Sequence, residues 1–195
     1  MTVPPNAGQA ARWMEEAVEA IRRIDAATVA AAADLLLGTR RAGGTIFVAG
    51  NGGSAATASH LALDLQKAGR APGGKGTAAL SLADSMGLVS AWGNDAGFDR
   101  VFAEQLEALG KPGDALVVIS VSGSSPNLVS LLETAARLGI RRVGLLGRTG
   151  GAARALVDVP VLVPSDDYGW VESAHVVLHH VLTYAVRDAA RAGRG

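Results

Sequence analysis

Histidine is the residue type whose placement in this chain points most directly to chemistry. The chain has four histidines. Three of them lie within six residues of one apolar segment: His175, His179 and His180. Acidic residues accompany both groups, since Asp64 follows the remaining His60 by four positions and Glu172 precedes the cluster. Imidazoles among apolar neighbours are costly unless they hydrogen-bond or bind something. Imidazole and carboxylate are ligands for a borderline cation such as Zn²⁺ and common acid–base groups, so the pattern indicates a metal or proton-transfer site.

Helical geometry leaves the membership of this site open. His60 and Asp64 lie about 40° apart around a helix axis, which suits a shared ligand but also an ordinary surface ion pair. Glu172 is about 20° from His179 in projection and about 80° from His180. Periodicity alone therefore favours His179 over His180 as the partner of Glu172.

Two segments have the composition of anion-binding turns. Gly50, Asn51, Gly52, Gly53 and Ser54 follow an apolar run and open a segment without helix breakers. A glycine-rich turn at a helix N-terminus presents free backbone N–H groups to an anion, although tight turns also favour glycine for packing alone. Ser120–Ser125 also follows an apolar run, and Pro126 suits the first turn of the next helix. Neither segment has the spacing of a nucleoside triphosphate or dinucleotide motif, so a small phosphorylated ligand fits better.

Apolar periodicity predicts the elements that position these residues. Strands are predicted at 45–49, 78–82, 115–119, 142–146 and 159–163. Helices are predicted at 10–37, 54–65, 85–92, 99–109, 126–138, 152–156 and 170–192. The first helix is expected to break near Asp25 and to end at Gly38, and Asp84 is expected to cap the third. Glycine-containing loops are expected at 71–76, 93–97 and 147–151.

This alternation predicts an α/β fold, a three-layer sandwich with a central parallel sheet and a long N-terminal helix. We expect a single domain over 1–195, with the N-terminal helix at 10–37, an α/β core at 45–165 and the helix bearing most of the histidines at 170–192. Ligands of such sheets lie beyond the carboxyl ends of the strands, where both glycine- and serine-rich turns fall.

Composition narrows the class of protein. The chain has 195 residues, a formal net charge of +0, 49% hydrophobic residues and no cysteine. A large core is therefore expected, while disulfides and thiolate chemistry are excluded. The absence of a basic cluster argues against a nucleic-acid surface. No segment resembles a signal peptide or a membrane span, so a cytoplasmic protein is expected. The long N-terminal helix must pack on something, and pairing between subunits is a reasonable expectation.

Five motifs in this order resemble the sugar isomerase (SIS) family over about Ala10 to Ala192. They are Gly50-Asn-Gly-Gly-Ser, His60-x-x-x-Asp64, Gly93-Asn-Asp95, Ser120-Val-Ser-Gly-Ser-Ser125 and Glu172-x7-His180. The order and spacing look most like the branch that acts on sedoheptulose 7-phosphate. The resemblance implies an aldose–ketose isomerase that works through an enediol, with a divalent metal, Zn²⁺ foremost, and a homotetrameric assembly.

The resemblance also implies roles for individual residues. Asp64 and His180 would be the acid–base pair. The implied metal ligands are His60, Asp64, Glu172 and His180, with His179 as second choice for His180. The substrate contacts would be Asn51, Gly52, Gly53, Ser54, Asn94, Asp95, Ser120, Val121, Ser122, Ser125 and Glu172, the phosphate lying on the hydroxyls of Ser120, Ser122 and Ser125.

The chain departs from the family at positions that matter for this reading. It has Asp64 where the family has Glu and Glu172 where it has Gln. The usual Asp-Arg is replaced by Gly169-Trp170, and an expected Arg is Ala68. These changes leave open whether Asp64 or Glu172 is the base and whether another phosphosugar is the substrate. The alternative is a non-catalytic SIS module that senses a phosphosugar or binds a regulatory partner, but such modules lose the His/carboxylate set that this chain keeps.

Overall fold

The structure is a computed structural model that describes residues 6–68, 70 and 76–193. Its strands are β1 (Ile46–Gly50), β2 (Ala79–Ser81), β3 (Ala115–Ser120), β4 (Arg141–Gly147) and β5 (Val159–Val163). Its α-helices are α1 (Ala7–Arg22), α2 (Ala26–Arg41), α3 (Gly53–Ala68), α4 (Met86–Asp95), α5 (Ala103–Leu109), α6 (Pro126–Arg137) and α7 (Tyr168–Arg191). Two short 3₁₀ helices occupy Phe98–Arg100 and Ala152–Ala155. The loop predicted at 71–76 lies, except for Gly76, outside the described residues.

The five strands form one parallel sheet in the order β2-β1-β3-β4-β5. After β1 the chain pairs β2 on one side and then crosses to place β3 on the other. The order of strands therefore reverses between β1 and β3, which is where ligands of doubly wound sheets bind. The predicted α/β fold with a central parallel sheet is confirmed.

Every residue of β1 and β3 is buried, because helices cover both faces of the sheet. Ile46 and Val48 point into a core shared with α2, α3 and α7, while Phe47 and Ala49 point into a second core shared with α5 and α6. This alternation is the two-residue period of a strand. The α2–α3–α7 face carries all four histidines, so one layer of the sandwich contains the candidate chemistry.

The predicted N-terminal helix is two helices, and the break falls at Asp25 as expected. The Asp25 carboxylate accepts a hydrogen bond of 2.9 Å from the backbone N–H of Ala27 and so caps α2. The predicted end at Gly38 is wrong, because α2 continues to Arg41. A single glycine inside a helix costs only about 1 kcal/mol relative to alanine. The chain leaves the helix at Gly43, whose φ of 73° suits glycine.

Several other predicted boundaries shift for local reasons. Ser85, not Asp84, caps α4, since its hydroxyl accepts the N–H of Leu88 at 3.3 Å. Residues 93–95, predicted as loop, form the last turn of α4. The segment predicted as one helix at 99–109 and the helix predicted at 152–156 are each partly or wholly 3₁₀. The last helix starts at Tyr168, where the Asp167 carboxylate accepts the N–H of Trp170 at 2.9 Å.

Helices α3 and α7 lie side by side and run in the same direction. The carboxylate of Glu172 faces Gly53 at the start of α3, and His179 contacts His60 seven residues further along each helix. Seven residues correspond to about 10.5 Å of helix. Within the described part of the chain, no helix combines the length and apolarity that crossing a bilayer requires.

Candidate active site

Two loops meet at the carboxyl ends of β1 and β3. The first turns from β1 into α3, and Gly50 is required there because a Cβ would lie 2.6 Å from the backbone oxygen of Ser54. Gly52 follows with a φ of 55°, a conformation that favours glycine. The first-turn amides of α3, from Gly53 and Ser54, have no carbonyl partner within the helix. The loop therefore presents polar backbone groups beside the strand ends.

The second loop, 120–125, is held in shape by its own serines. The buried Ser120 hydroxyl accepts the N–H of Gly123 at 3.0 Å, and the Ser122 hydroxyl accepts the N–H of Ser124 at 3.3 Å. Gly123 has a φ of 63°, and a side chain there would clash with the backbone of Gly150. The loop is thus fixed against the turn that follows β4.

Ser125 precedes the first turn of α6 without capping it. The Ser125 side chain makes no cap hydrogen bond, although its carbonyl accepts the N–H groups of Leu128 and Val129 at 3.0 and 3.1 Å. The exposed Ser122 and the half-buried Ser125 lie before the first turn of α6, and their hydroxyl groups can donate hydrogen bonds to a ligand. Hydroxyl donors and a positive helix end together suit a phosphate group. Val121 is buried under this loop and contributes backbone rather than side chain.

The two loops are joined by a pair of amides. Asn51 Nδ2 donates to Asn127 Oδ1 at 2.9 Å, and Asn127 Nδ2 donates to Asn51 Oδ1 at 2.8 Å. Asn127 lies in the first turn of α6 and is buried, whereas Asn51 is half-buried. The side chain of Asn51, expected to contact the sugar, therefore also fixes the position of one loop against the other.

The acid–base candidates assemble between α3 and α7. His60, Asp64, His179 and His180 each offer one ligand atom, and these atoms all lie within 4.8 Å of one another. Asp64 Oδ2 is the common centre. It lies 3.4 Å from His60 Nε2, 3.4 Å from His179 Nε2 and 4.0 Å from His180 Nε2. The spacing of four residues on α3 thus produces a shared site rather than an isolated surface pair.

His179 and His180 occupy different environments within this cluster. His179 is fully buried, and burial lowers its pKa to about 4, helped by the neighbouring His180 and His60 and opposed by Asp64. His180 is half-buried, and its Nδ1 lies 2.9 Å from the carbonyl oxygen of Val176. A carbonyl can only accept, so Nδ1 carries the proton and the Nε2 of a neutral His180 has a free lone pair facing Asp64.

Glu172 is not brought into this cluster. Its carboxylate lies over the first turn of α3, where a Cβ on Gly53 would be 2.5 Å from Oε1. Glu172 and His179 do share a face of α7, as the periodicity predicts, but about 10.5 Å of helix separates them. A negative charge at a helix N-terminus is stabilised, which accounts for the position of the carboxylate.

Asn94 and Asp95 end α4 and are exposed. Among the described residues their only side-chain hydrogen bond is to each other, from Asn94 Nδ2 to Asp95 Oδ1 at 2.7 Å. Their role in substrate binding stays a prediction. Asp84 lies in the loop before α4 and accepts the hydroxyl proton of Ser59, a residue of α3, which ties that loop to the helix bearing His60.

One residue of the site, Asn127, was not assigned from sequence. Its position gave no spacing signal, because its importance arises from a partner 76 positions away. His179 was assigned only as second choice for His180, although helical phase favoured it as the partner of Glu172. His175 has a different place again: it is fully buried, and burial lowers its pKa to about 4. The backbone of Leu146 opposes that shift. Its geometry is not that of a regular hydrogen bond, and neither ring nitrogen of His175 has a hydrogen-bond partner among the described residues.

The sequence of this chain is similar to known families over most of its length. The SIS domain model matches residues 11–147. A phosphoheptose isomerase from Trichlorobacter lovleyi is 41% identical over 156 residues, which is 80% of this chain and 79% of that protein. The SIS domain match spans the loops after β1 and β3 and helix α3.

Solved structures agree with the sequence match. Phosphoheptose isomerase GmhA from Neisseria gonorrhoeae superposes with a TM-score of 0.85 at 33% identity, covering 93% of this chain and 98% of that one. A phosphoheptose isomerase from Francisella tularensis gives 0.86 at 28% identity, covering 93% and 97%. The predicted family and enzyme class are confirmed: the chain belongs to the SIS-domain family, in the branch of the phosphoheptose isomerases.

Proposed function

We propose that this chain is an isomerase that interconverts sedoheptulose 7-phosphate and the corresponding aldose heptose 7-phosphate. The observation that carries the proposal is the arrangement at the β1–β3 switch point. A hydroxyl-rich loop suited to phosphate is joined there, through Asn51 and Asn127, to the loop that starts α3, and α3 carries His60 and Asp64 toward α7. A non-catalytic sensor has no use for the imidazole–carboxylate cluster.

The phosphate contacts supply orientation. In this proposal the hydroxyls of Ser120, Ser122 and Ser125 and the amides at the start of α6 hold the phosphate, while Asn51 to Ser54 and Asn94-Asp95 contact the sugar. Fixing the remote phosphate places the reacting carbons and makes the proton transfers effectively unimolecular. Glu172, beside Gly53, lines the sugar end of the site.

The reaction moves one proton between adjacent carbons. A base takes the proton from C1 of the ketose, the electrons form the enediol, and a proton then returns to C2 to give the aldose. Asp64 and His180 are the proposed pair, because both lie in the cleft between α3 and α7, with Asp64 Oδ2 4.0 Å from His180 Nε2. A second proton must move from the hydroxyl oxygen on C1 to the carbonyl oxygen on C2, and the other member of the pair transfers it.

The donor set fits a divalent metal such as Zn²⁺. Imidazole nitrogen and carboxylate oxygen are its usual ligands in a chain without cysteine. His60, Asp64 and His180 would hold the metal, and the fully buried His179 has two ring nitrogens without hydrogen-bond partners among the described residues. A bound metal would polarise the substrate carbonyl and stabilise the enediolate. Glu172 is also predicted from sequence as a ligand, and its carboxylate lies beside Gly53 at the start of α3.

We also propose that the protein is a homotetramer in the cytoplasm. Support for assembly comes from apolar side chains left exposed on α1 and α7, among them Met14, Val18, Val181 and Tyr184. Exposed apolar residues on neighbouring helices are typical of protein–protein contacts.

The experiment that tests the activity uses purified protein and a panel of ketose phosphates, with sedoheptulose 7-phosphate first, each with and without Zn²⁺. Formation of an aldose phosphate is followed by chromatography. We expect the heptose substrate to be turned over with the highest kcat/KM. Turnover of another ketose phosphate alone would refute the substrate, and no turnover of any member would refute the enzyme.

A further inference from the structure

Arg148 is the only basic residue in the segments that lead from a strand to the next helix. These segments are 51–52, 82–85, 121–125, 148–151 and 164–167. The acidic residues among them are Asp84, Asp166 and Asp167. Ligands of a doubly wound sheet bind at this edge. Arg148 is therefore the one cationic side chain that these segments offer to an anion.

The backbone of Arg148 has a conformation that favours glycine. Its φ is 55°, and every other described residue with a positive φ is a glycine. Arg148 follows the first residue of a turn that is closed by a hydrogen bond of 2.9 Å from the N–H of Gly150 to the carbonyl oxygen of Gly147. A left-handed conformation is unfavourable for any residue with a Cβ, because the Cβ comes too close to a carbonyl oxygen. A charged side chain retained at such a position points to a function for that side chain.

The turn that carries Arg148 packs against the serine-rich loop after β3. A Cβ on Gly147 would lie 2.6 Å from the carbonyl oxygen of Val121, and a Cβ on Gly151 would clash with the carbonyl oxygen of Ser122. These two contacts lie on either side of Arg148 in the chain. The backbone of Arg148 is thus held beside the loop that is proposed to bind phosphate.

The guanidinium of Arg148 is available to a ligand. The residue is exposed, and no carboxylate in the described part of the chain forms an ion pair with it. Among the described residues its only side-chain hydrogen bond runs from Nη2 to the carbonyl oxygen of Asp166 at 3.4 Å, which is longer than a typical N–H···O bond. A guanidinium has five N–H donors, so most of them remain for an anion.

We propose that Arg148 is a substrate-binding residue whose guanidinium pairs with the phosphate group held by the serine-rich loop. The proposal rests on the phosphosugar isomerase function argued above, and it adds a cation to a phosphate site whose other assigned donors are neutral hydroxyls and amides. A planar guanidinium can form two parallel hydrogen bonds to one phosphate, and such bonds are about twice as strong as neutral ones. The phosphate is remote from the reacting carbons, so the pairing should affect KM much more than kcat.

Substitutions of Arg148 separate the charge from the backbone strain. Arg148→Ala removes the guanidinium and keeps a Cβ at the left-handed position. Arg148→Gly removes both, and its Tm should exceed that of Arg148→Ala by a few degrees, because glycine adopts this φ without strain. Arg148→Lys keeps the charge without the planar fork and should lose less affinity than Arg148→Ala. Phosphate affinity should fall equally in the alanine and glycine variants, whatever their stabilities.

The measurement is the dissociation constant of inorganic phosphate, by calorimetry at fixed ionic strength, beside KM and kcat for sedoheptulose 7-phosphate. Arg148→Ala and Arg148→Gly should each weaken phosphate binding by about tenfold or more and raise KM by a similar factor. Their kcat should stay within about threefold of wild type. Arg141→Ala is the matched control, because it removes an exposed arginine from the amino end of the same strand, where the ion pair with Asp158 spans 3.6 Å. Its phosphate affinity should be within about twofold of wild type.

Unchanged phosphate affinity in Arg148→Ala overturns the proposal. An equal loss in Arg141→Ala also overturns it, because net charge rather than position would then be responsible. Wild-type protein that binds no phosphate, or a loss in kcat with KM unchanged, has the same consequence. The proposed function fails separately: phosphate binding that depends on Arg148, without turnover of any ketose phosphate, would refute the isomerase and leave the role of Arg148 in anion binding.

Discussion

Asn51 and Asn127 exchange two side-chain hydrogen bonds, at 2.9 and 2.8 Å, across the switch point of the sheet. One residue belongs to the loop after β1 and the other to the first turn of α6. The pair satisfies a donor and an acceptor on each amide and links the predicted sugar-binding loop to the predicted phosphate-binding loop. In the proposed phosphosugar site, these two amides would set the distance between the sugar-binding and phosphate-binding parts.

Asn127→Ala should therefore weaken substrate binding, although Asn127 is not one of the residues predicted to contact the substrate. The change leaves the Asn51 amide without its partner, at a cost of about 1–3 kcal/mol in stability. The KM for the phosphosugar should rise severalfold because the loops lose their fixed spacing. Steady-state kinetics and urea unfolding measure both effects.

Asn94→Ala is the control for an amide outside the pair, since Asn94 is exposed and bonds only to Asp95 through its side chain among the described residues. It should leave the free energy of unfolding within about 0.5 kcal/mol. An Asn127→Ala protein with unaltered stability and KM would show that the amide pair has no organising role.

Replacing Ser120 and Ser122 together with alanine should raise KM for a phosphosugar much more than it destabilises the fold. Two hydroxyl donors to the anion are lost, and hydrogen bonds to charged groups contribute about 1.5–3 kcal/mol each. Ser120 also accepts the N–H of Gly123, so some loss of loop order is expected. Initial-rate kinetics against substrate concentration provide the measurement.

The matched control is Ser90→Ala, an exposed serine of α4 whose hydroxyl donates to the carbonyl of Gly87. Its kinetic constants should equal those of wild type. A double variant at positions 120 and 122 whose KM is unchanged would place the phosphate elsewhere.

The sequence predicted the sheet well because its signals are local. Apolar runs bounded by glycine and serine marked all five strands to within two residues at each end, and the fold class followed from their alternation with helices. One boundary failed because two neighbouring polar residues competed for the same cap. Asp84 and Ser85 are equally suited to cap α4, and the bond from Ser59 to Asp84 leaves the cap to Ser85.

The site was only partly predictable for a different reason. Loops that follow strands are placed by topology, so residues 50–54 and 120–125 could be expected together. The sequence does not give the direction in which each side chain points. Helical phase placed Glu172 and His179 on one face of α7, but phase carries no information about which turn of α3 each one meets. The Asn51–Asn127 pair required the tertiary structure altogether.

Assembly can be tested from the exposed apolar surface. The homotetramer predicted for this chain should appear by light scattering at micromolar concentration. Val18→Glu on α1, where the side chain is 44% exposed, should shift the mass toward smaller species because a charge in an apolar contact is strongly unfavourable. Wild-type protein that runs as a monomer would contradict the prediction.

The buried His175 should make stability depend on pH. Its pKa is about 4 in the folded chain against an ordinary value near 6.5, so the unfolded chain binds more protons between these values. Stability is therefore complete above about pH 6.5 and is lost as the pH falls toward 4. At pH 5.5 the loss from this residue is about 1 kcal/mol.

Urea unfolding of metal-free protein at pH 7.5 and 5.5 measures this loss, and His175→Leu isolates the contribution of this histidine. The variant should show a smaller difference between the two pH values than wild type by about 1 kcal/mol. His179, whose pKa is also lowered to about 4, contributes to the pH dependence of wild type and variant alike, so the difference between the two proteins reports His175. An equal pH dependence in wild type and His175→Leu would exclude His175 as the source.

Asp64 and His180 should be needed for turnover but not for the fold. Asp64→Asn removes a carboxylate that lies within 4.0 Å of three imidazole nitrogens, and His180→Gln removes the lone pair at Nε2 that faces it. Each change should lower kcat by about 10²-fold or more, the usual contribution of a positioned acid or base. The oligomeric mass should be unchanged, because both side chains lie at the α3–α7 cleft and not in the core. Rates measured beside light scattering, with zinc content determined on the same samples, separate loss of chemistry from loss of metal. Full activity in both variants would remove these residues from the mechanism. Glu172 of α7, whose carboxylate lies beside the start of α3, would then be the next candidate base.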